Sequence, residues 1–173
     1  MGGVRLEPSG GSEGGRPPSV TLRRLPHGEA ELMLDARPTP AMRASWHPEY
    51  PLDDTLAGLT WLFAAWQEMG GLDPTSPWWT YQLVVDRQVV GDIGFHGPPD
   101  DRRQLTIGYQ VVPAARGRGI ATAACGQLVV LAWSAGANRL TACTDLDNPA
   151  SQQVLQRNGF VSGDGRSFSL DRP

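Results

Sequence analysis

The stretch from Gly108 to Thr122, GYQVVPAARGRGIAT, constrains this chain more than any other. An apolar strand pattern ending at Val112 runs through a proline and a glycine-rich turn directly into a helical pattern. A helix that begins this way has first-turn N–H groups without intrahelical partners, and the positive end of its dipole faces the strand end. Such a terminus accepts an anion, and two glycines let a pyrophosphate approach the backbone closely. An ordinary strand-to-helix turn fits the same residues.

Two common phosphate sites are excluded. A P-loop requires Gly-Lys-Ser/Thr, and all fifteen basic residues here are arginine. A dinucleotide fingerprint starting at Gly117 would need glycine at position 122, which is Thr122. It would also need an acidic residue about 20 positions on, and the next one, Asp145, lies beyond a further strand pattern.

A second block runs from Asn148 to Phe160, NPASQQVLQRNGF. Asn148-Pro149 suits the N-cap and first position of a helix, and Gly159-Phe160 suits its C-terminal cap. A capping Asn uses one side-chain oxygen and keeps its amide N–H groups for a ligand.

Together the blocks identify a family resemblance. Arg116-x-x-Gly119-x-Ala121 is similar to the acetyl-CoA pyrophosphate loop of the GNAT N-acetyltransferases. Asn148-x-x-Ser151-x-x-Val154-Leu155-x-x-x-Gly159-Phe160 resembles the signature of a branch that includes the ribosomal-protein N-terminal acetyltransferases. With Ile107-Gly108-Tyr109, the resemblance covers roughly residues 19 to 170. It implies an α+β, GNAT-like single domain: a mixed, mostly antiparallel twisted sheet flanked by helices and splayed at the acetyl-CoA-binding strand. It also implies direct acetyl transfer from acetyl-CoA, a cosubstrate, to a primary amine, either a protein N-terminus or an amine-bearing small molecule.

By the same resemblance, the backbone at Val111 and Val112, the loop Arg116, Gly117, Arg118, Gly119, Ile120, Ala121 and Thr122, and Asn148 hold the cosubstrate. Asn148 is expected on the pantetheine arm. Transfer requires a neutral amine, a donor for the developing oxyanion and a proton for the departing thiolate. The tyrosine acid common in the family is replaced by Leu155, which leaves Ser151 as the donor to sulfur. The glutamate that relatives often carry before Ile-Gly-Tyr is replaced by Thr106. Asp92 and His96, four apart on one strand and so on one face, are the candidate bases, with Tyr109 a third. The missing acid and base keep a second reading open, a catalytically impaired CoA-binding protein of the same fold.

Elsewhere the patterns are plainer. Residues 1–18 are rich in Gly, Pro and Ser and are expected as a flexible tail before a domain at 19–173. Strands are expected at Ser19–Leu25, Trp79–Asp86, Gln88–His96, Arg103–Val112 and Arg139–Thr144, with a terminal hairpin. Helices are expected at Gly28–Asp35, from an Asp53 or Asp54 cap to Gly70-Gly71, and after Gly119 with Ile120, Ala124, Leu128 and Leu131 on one face. Trp46, His47 and Tyr50 lie in a Pro-rich connection, the segment that by the resemblance shapes the acceptor cleft. A formal charge of -3 argues against a nucleic-acid or anionic-membrane surface. No apolar run reaches the length of a membrane span or a signal core, so a cytoplasmic location is expected. Cys125 and Cys143 are expected as buried free thiols and not as a disulfide or metal site; a homodimer is left open.

Overall fold

A computed structural model describes residues 19–71 and 73–173. The expected tail lies outside the described residues. The chain forms β1 (Thr21–Arg24), α1 (His27–Leu34), α2 (Pro40–Ser45), α3 (Asp53–Glu68), β2 (Thr80–Val85), β3 (Gln88–Phe95) and β4 (Gln104–Val111). A single 3₁₀ turn, Pro113–Ala115, then leads to α4 (Ile120–Ser134), β5 (Arg139–Cys143), α5 (Pro149–Arg157), β6 (Val161–Ser162) and β7 (Ser167–Asp171).

The seven strands form one sheet in the order β1-β2-β3-β4-β5-β7-β6. Every neighbouring pair is antiparallel except β4 and β5, which are parallel. Hairpin connections account for β2-β3-β4, whereas a parallel neighbour requires a crossover, here through α4. The β4–β5 pairing stops at Thr106↔Thr141, although β4 continues to Val111. Beyond that point, among the described residues, β4 is paired with β3 alone, with register from Phe95↔Ile107 to Gly91↔Val111. The expected splay is therefore present.

Adjacent strand residues point to opposite faces. The Tyr109 hydroxyl reaches Ser151 of α5, while the Gln110 amide reaches Thr55 of α3. Hence α3 and α5 cover opposite faces, and β3, buried from Val89 to Phe95, is the centre of the core. From α3 the core receives Leu59, Leu62 and Trp66, and from α4 Ile120, Ala124, Cys125, Leu128 and Ala132. Leu131, expected in that α4 stripe, is only partly buried; the stripe turns to Ala132 at helical spacing.

Three expectations are corrected. Asp53 and Asp54 do not cap α3 but lie in its first turn after the N-cap Leu52, whose N–H is taken by the Thr55 hydroxyl at 3.2 Å. The segment before it, expected as a connection, contains α2, capped by Thr39 with Pro40 at its first position. Cys143 is exposed, since it lies at the end of β5 past the last β4 pairing, whereas Cys125 is buried.

Candidate active site

Strand β4 supplies a free edge. The Val112 N–H donates to Val90 O and the His96 N–H to Thr106 O, both at 2.9 Å. Alternation along an antiparallel pair then turns the N–H groups of Tyr109 and Val111 away from β3. That edge carries no β5 pairing beyond Thr106. The Val111 carbonyl accepts from Arg116 Nε at 2.9 Å, and its N–H remains available. Of the two backbone positions expected to hold the cosubstrate, Val111 keeps its N–H on the free edge, and Val112 is committed to the sheet.

The free edge opens into a cavity of about 550 Å³. Its walls include Tyr109, Gln110, Val111, Arg116, Gly117, Gly119, Ile120, Ala121, Thr122, Asn148 and Ser151. Gly119 is the N-cap of α4 in the left-handed region (φ 77°), where glycine carries no steric cost. Having no side chain, it caps nothing, and Ile120, Ala121 and Thr122 of the first turn of α4 line the cavity. A Cβ at position 119 would meet no protein atom within 4 Å. Arg118 is not part of this wall; it lies 3.8 Å from Asp86 on the surface.

On the facing wall, Asn148 Oδ1 caps α5 by accepting the Ser151 N–H at 3.1 Å, as its helix-start signal implied. The other end of α5 closes with Gly159 at φ 86°, with Phe160 N–H bonded to Leu155 O and Gly159 N–H to Gln156 O. This frame points Ser151 Oγ at Tyr109 Oη, 2.8 Å away. The Tyr109 hydroxyl also lies 3.0 Å from the Ser151 carbonyl. When the tyrosine proton is donated to Ser151 Oγ, the serine proton is free to turn into the cavity. Burial pushes Tyr109 up to about 12, so it remains a protonated donor at neutral pH and not a base.

The other two candidate bases stand apart from the cavity lining. Asp92 is fully buried behind Gln110, and burial raises its carboxyl to about 6 against hydrogen bonds from Thr55 (2.7 Å) and Gln110 (2.9 Å). His96 lies over Gly108, where a Cβ would come within 2.5 Å of its Nε2, and stacks edge-on against Trp61 at 6.2 Å. Burial lowers the His96 pKa, so the ring is neutral near pH 7. The expected cleft aromatics Trp46 and Tyr50 are buried as an edge-to-face pair. His47 is beside Glu49, whose carboxylate holds the Ala114 N–H at 3.1 Å and so anchors the turn after β4.

The structure adds lining residues that the motifs did not single out: Asp54, Gln110, Gln153 and Arg157. Ala150, Gln153, Val154 and Arg157 follow the 3.6-residue period from the cap, which could have found them. Asp54 comes from a distant segment and left no such signal, whereas Gln110 stands inside the Gly108–Thr122 stretch itself.

A family profile described as an acetyltransferase (GNAT) domain matches residues 19–161. The uncharacterized N-acetyltransferase YoaA of Bacillus subtilis is 31% identical over 98 residues, 56% of this chain and 52% of that protein. The chain spans about half the length of the curated relatives it matches. Among solved structures, RimL, a ribosomal L7/L12 alpha-N-protein acetyltransferase in complex with coenzyme A, superposes with a TM-score of 0.59 at 16% identity. The match covers 88% of this chain and 93% of RimL. Mycobacterium smegmatis RimJ in complex with CoA-disulfide gives 0.56 at 22% identity, covering 88% and 81%. At these identities the likeness establishes the fold.

Proposed function

This chain belongs to the GNAT acetyltransferase domain family, and from that premise we propose that it transfers the acetyl group of acetyl-CoA directly to a primary amine. The observation that carries this reading is the free edge of β4, set between an uncapped helix terminus and a hydroxyl pair. The relatives solved with coenzyme A bound support the choice of cosubstrate.

In this reading the α4 N-terminus and Arg116 hold the pyrophosphate, and the free amide of Asn148 meets the pantetheine arm. The Val111 N–H receives the charge that develops on the carbonyl oxygen. As the amine nitrogen forms its bond to the acetyl carbon, the carbon–sulfur bond breaks. Ser151 donates to the sulfur, with Tyr109 restoring the serine proton. The proton that the amine loses passes to solvent, and Tyr109 recovers from solvent the proton it gives to Ser151, so the exchange balances.

The acceptor is a weakly basic amine, with a protein N-terminus the best match to the chemistry. The position where relatives often carry glutamate is Thr106, whose hydroxyl is 3.0 Å from that of Thr141. A peptide α-amine titrates near 8 and a lysine side chain near 10.4, a gap of about 3 kcal/mol in the deprotonation the site would have to supply. Incubating a peptide that carries both amines with acetyl-CoA at pH 7.5 is expected to give mostly α-acetylation by mass spectrometry. Dominant ε-acetylation would contradict the acceptor assignment.

A further inference from the structure

A buried hydrogen-bond network lies directly behind the free edge of β4, on the face opposite Ser151. The Gln110 Nε2 donates to Asp92 Oδ1 and to Thr55 Oγ1, both at 2.9 Å. The Thr55 hydroxyl donates in turn to Asp92 Oδ2 at 2.7 Å and accepts the Leu52 N–H at 3.2 Å. Every proton is thereby committed, and the Gln110 amide has one orientation. Rotating it by half a turn would set its oxygen against a carboxylate oxygen and a hydroxyl whose proton is already given to Asp92. Its Oε1 is consequently the end left over, and among the described residues it has no hydrogen-bond partner. An unpaired buried acceptor is costly, which makes such an atom a pointer to a ligand.

The same residue lines the cavity, together with Asp54, an exposed carboxylate in the first turn of α3. Gln110 Oε1 and the Asp54 carboxylate can only accept hydrogen bonds, since the Gln110 N–H groups are already given to Asp92 and Thr55. The opposite wall carries the hydroxyls of Tyr109 and Ser151, and the Val111 N–H lies on the strand edge between the two sides. An acyl carbon at that edge would have a proton donor on one side and only acceptors on the other.

We infer that Gln110 Oε1 and Asp54 form the docking site for the incoming amine, which they take up as a hydrogen-bond donor and a cation. Asp92 and Thr55 are positioning residues that act through Gln110, by fixing which end of its amide faces the acceptor. This inference rests on the acetyl-transfer reading above and adds to it the two residues that recognise the acceptor.

The test uses the full chain, acetyl-CoA, and a short peptide amide with a free α-amine as the acceptor probe. Gln110→Met keeps the length of the side chain and removes the amide; it is expected to raise the KM for the peptide about tenfold. Asp54→Asn, at an exposed position, is expected to raise it about threefold and to abolish its dependence on ionic strength. In both variants the affinity for acetyl-CoA stays within twofold, a split that general damage to the fold would not give. If Gln110→Met does not fold, Asp54→Asn carries the test. A peptide KM within twofold of the unmodified protein in either folded variant overturns this inference alone. Absence of peptide acetylation by the unmodified protein overturns the transfer reading itself, and this inference with it.

Discussion

Ser151→Ala is expected to slow acetyl transfer between about 10- and 1,000-fold at saturating substrate, the range for losing a positioned proton donor. The hydroxyl is 2.8 Å from Tyr109 Oη, so the variant removes both the donor and its link to the tyrosine. Affinity for acetyl-CoA is expected to change little, because the hydroxyl matters most when the sulfur carries charge. Tyr109→Phe leaves Ser151 in place and should slow transfer less than Ser151→Ala does. Stopped-flow or steady-state thiol assays on both variants check this. An unaltered turnover in Ser151→Ala would reduce Ser151 to a first-turn residue of α5.

The second large effect concerns the anion site. Gly119→Val places a side chain where the structure has open cavity, and is expected to weaken acetyl-CoA binding more than tenfold, at least about 1.4 kcal/mol. Valine is also strained at a φ of 77°, so Gly119→Asn, which tolerates the left-handed region, separates loss of binding from loss of fold. Arg116→Ala should cost less. Its guanidinium is bonded to the Val111 carbonyl, and a flexible contact to phosphate is largely screened by solvent. Calorimetric titration of each folded variant reads the effect, and unchanged affinity in both Gly119 variants would remove the phosphate assignment.

What was legible in the chain was what lies close together along it. Asn148 and Ser151 are three residues apart, and cap and cavity wall arise from one turn of α5. Gly119 and the helix it starts are adjacent, and the runs that become β2, β3 and β4 mark three consecutive strands to within a residue. The Gln110–Asp92–Thr55 network was not legible, because its members are separated by 18, 37 and 55 positions and meet only once the sheet and α3 have packed. The strand position of Asp92 marks it as a candidate base, and the packing makes it the buried support of another side chain. The short α2 escaped for a different reason: six residues offer too few turns for a period to emerge, and only its Thr39-Pro40 start gave a signal. Asp53 and Asp54 resembled caps because first-turn carboxylates and capping carboxylates occur at the same helix end.

Release of free thiol from acetyl-CoA in the presence of a peptide with a free α-amine tests the central claim most directly. The account predicts thiol release that requires both the folded chain and the peptide, with one acetyl group gained by the peptide for each thiol formed. Binding of acetyl-CoA with no thiol released for any amine offered would contradict it, and would make the chain a CoA-binding protein that has lost transfer.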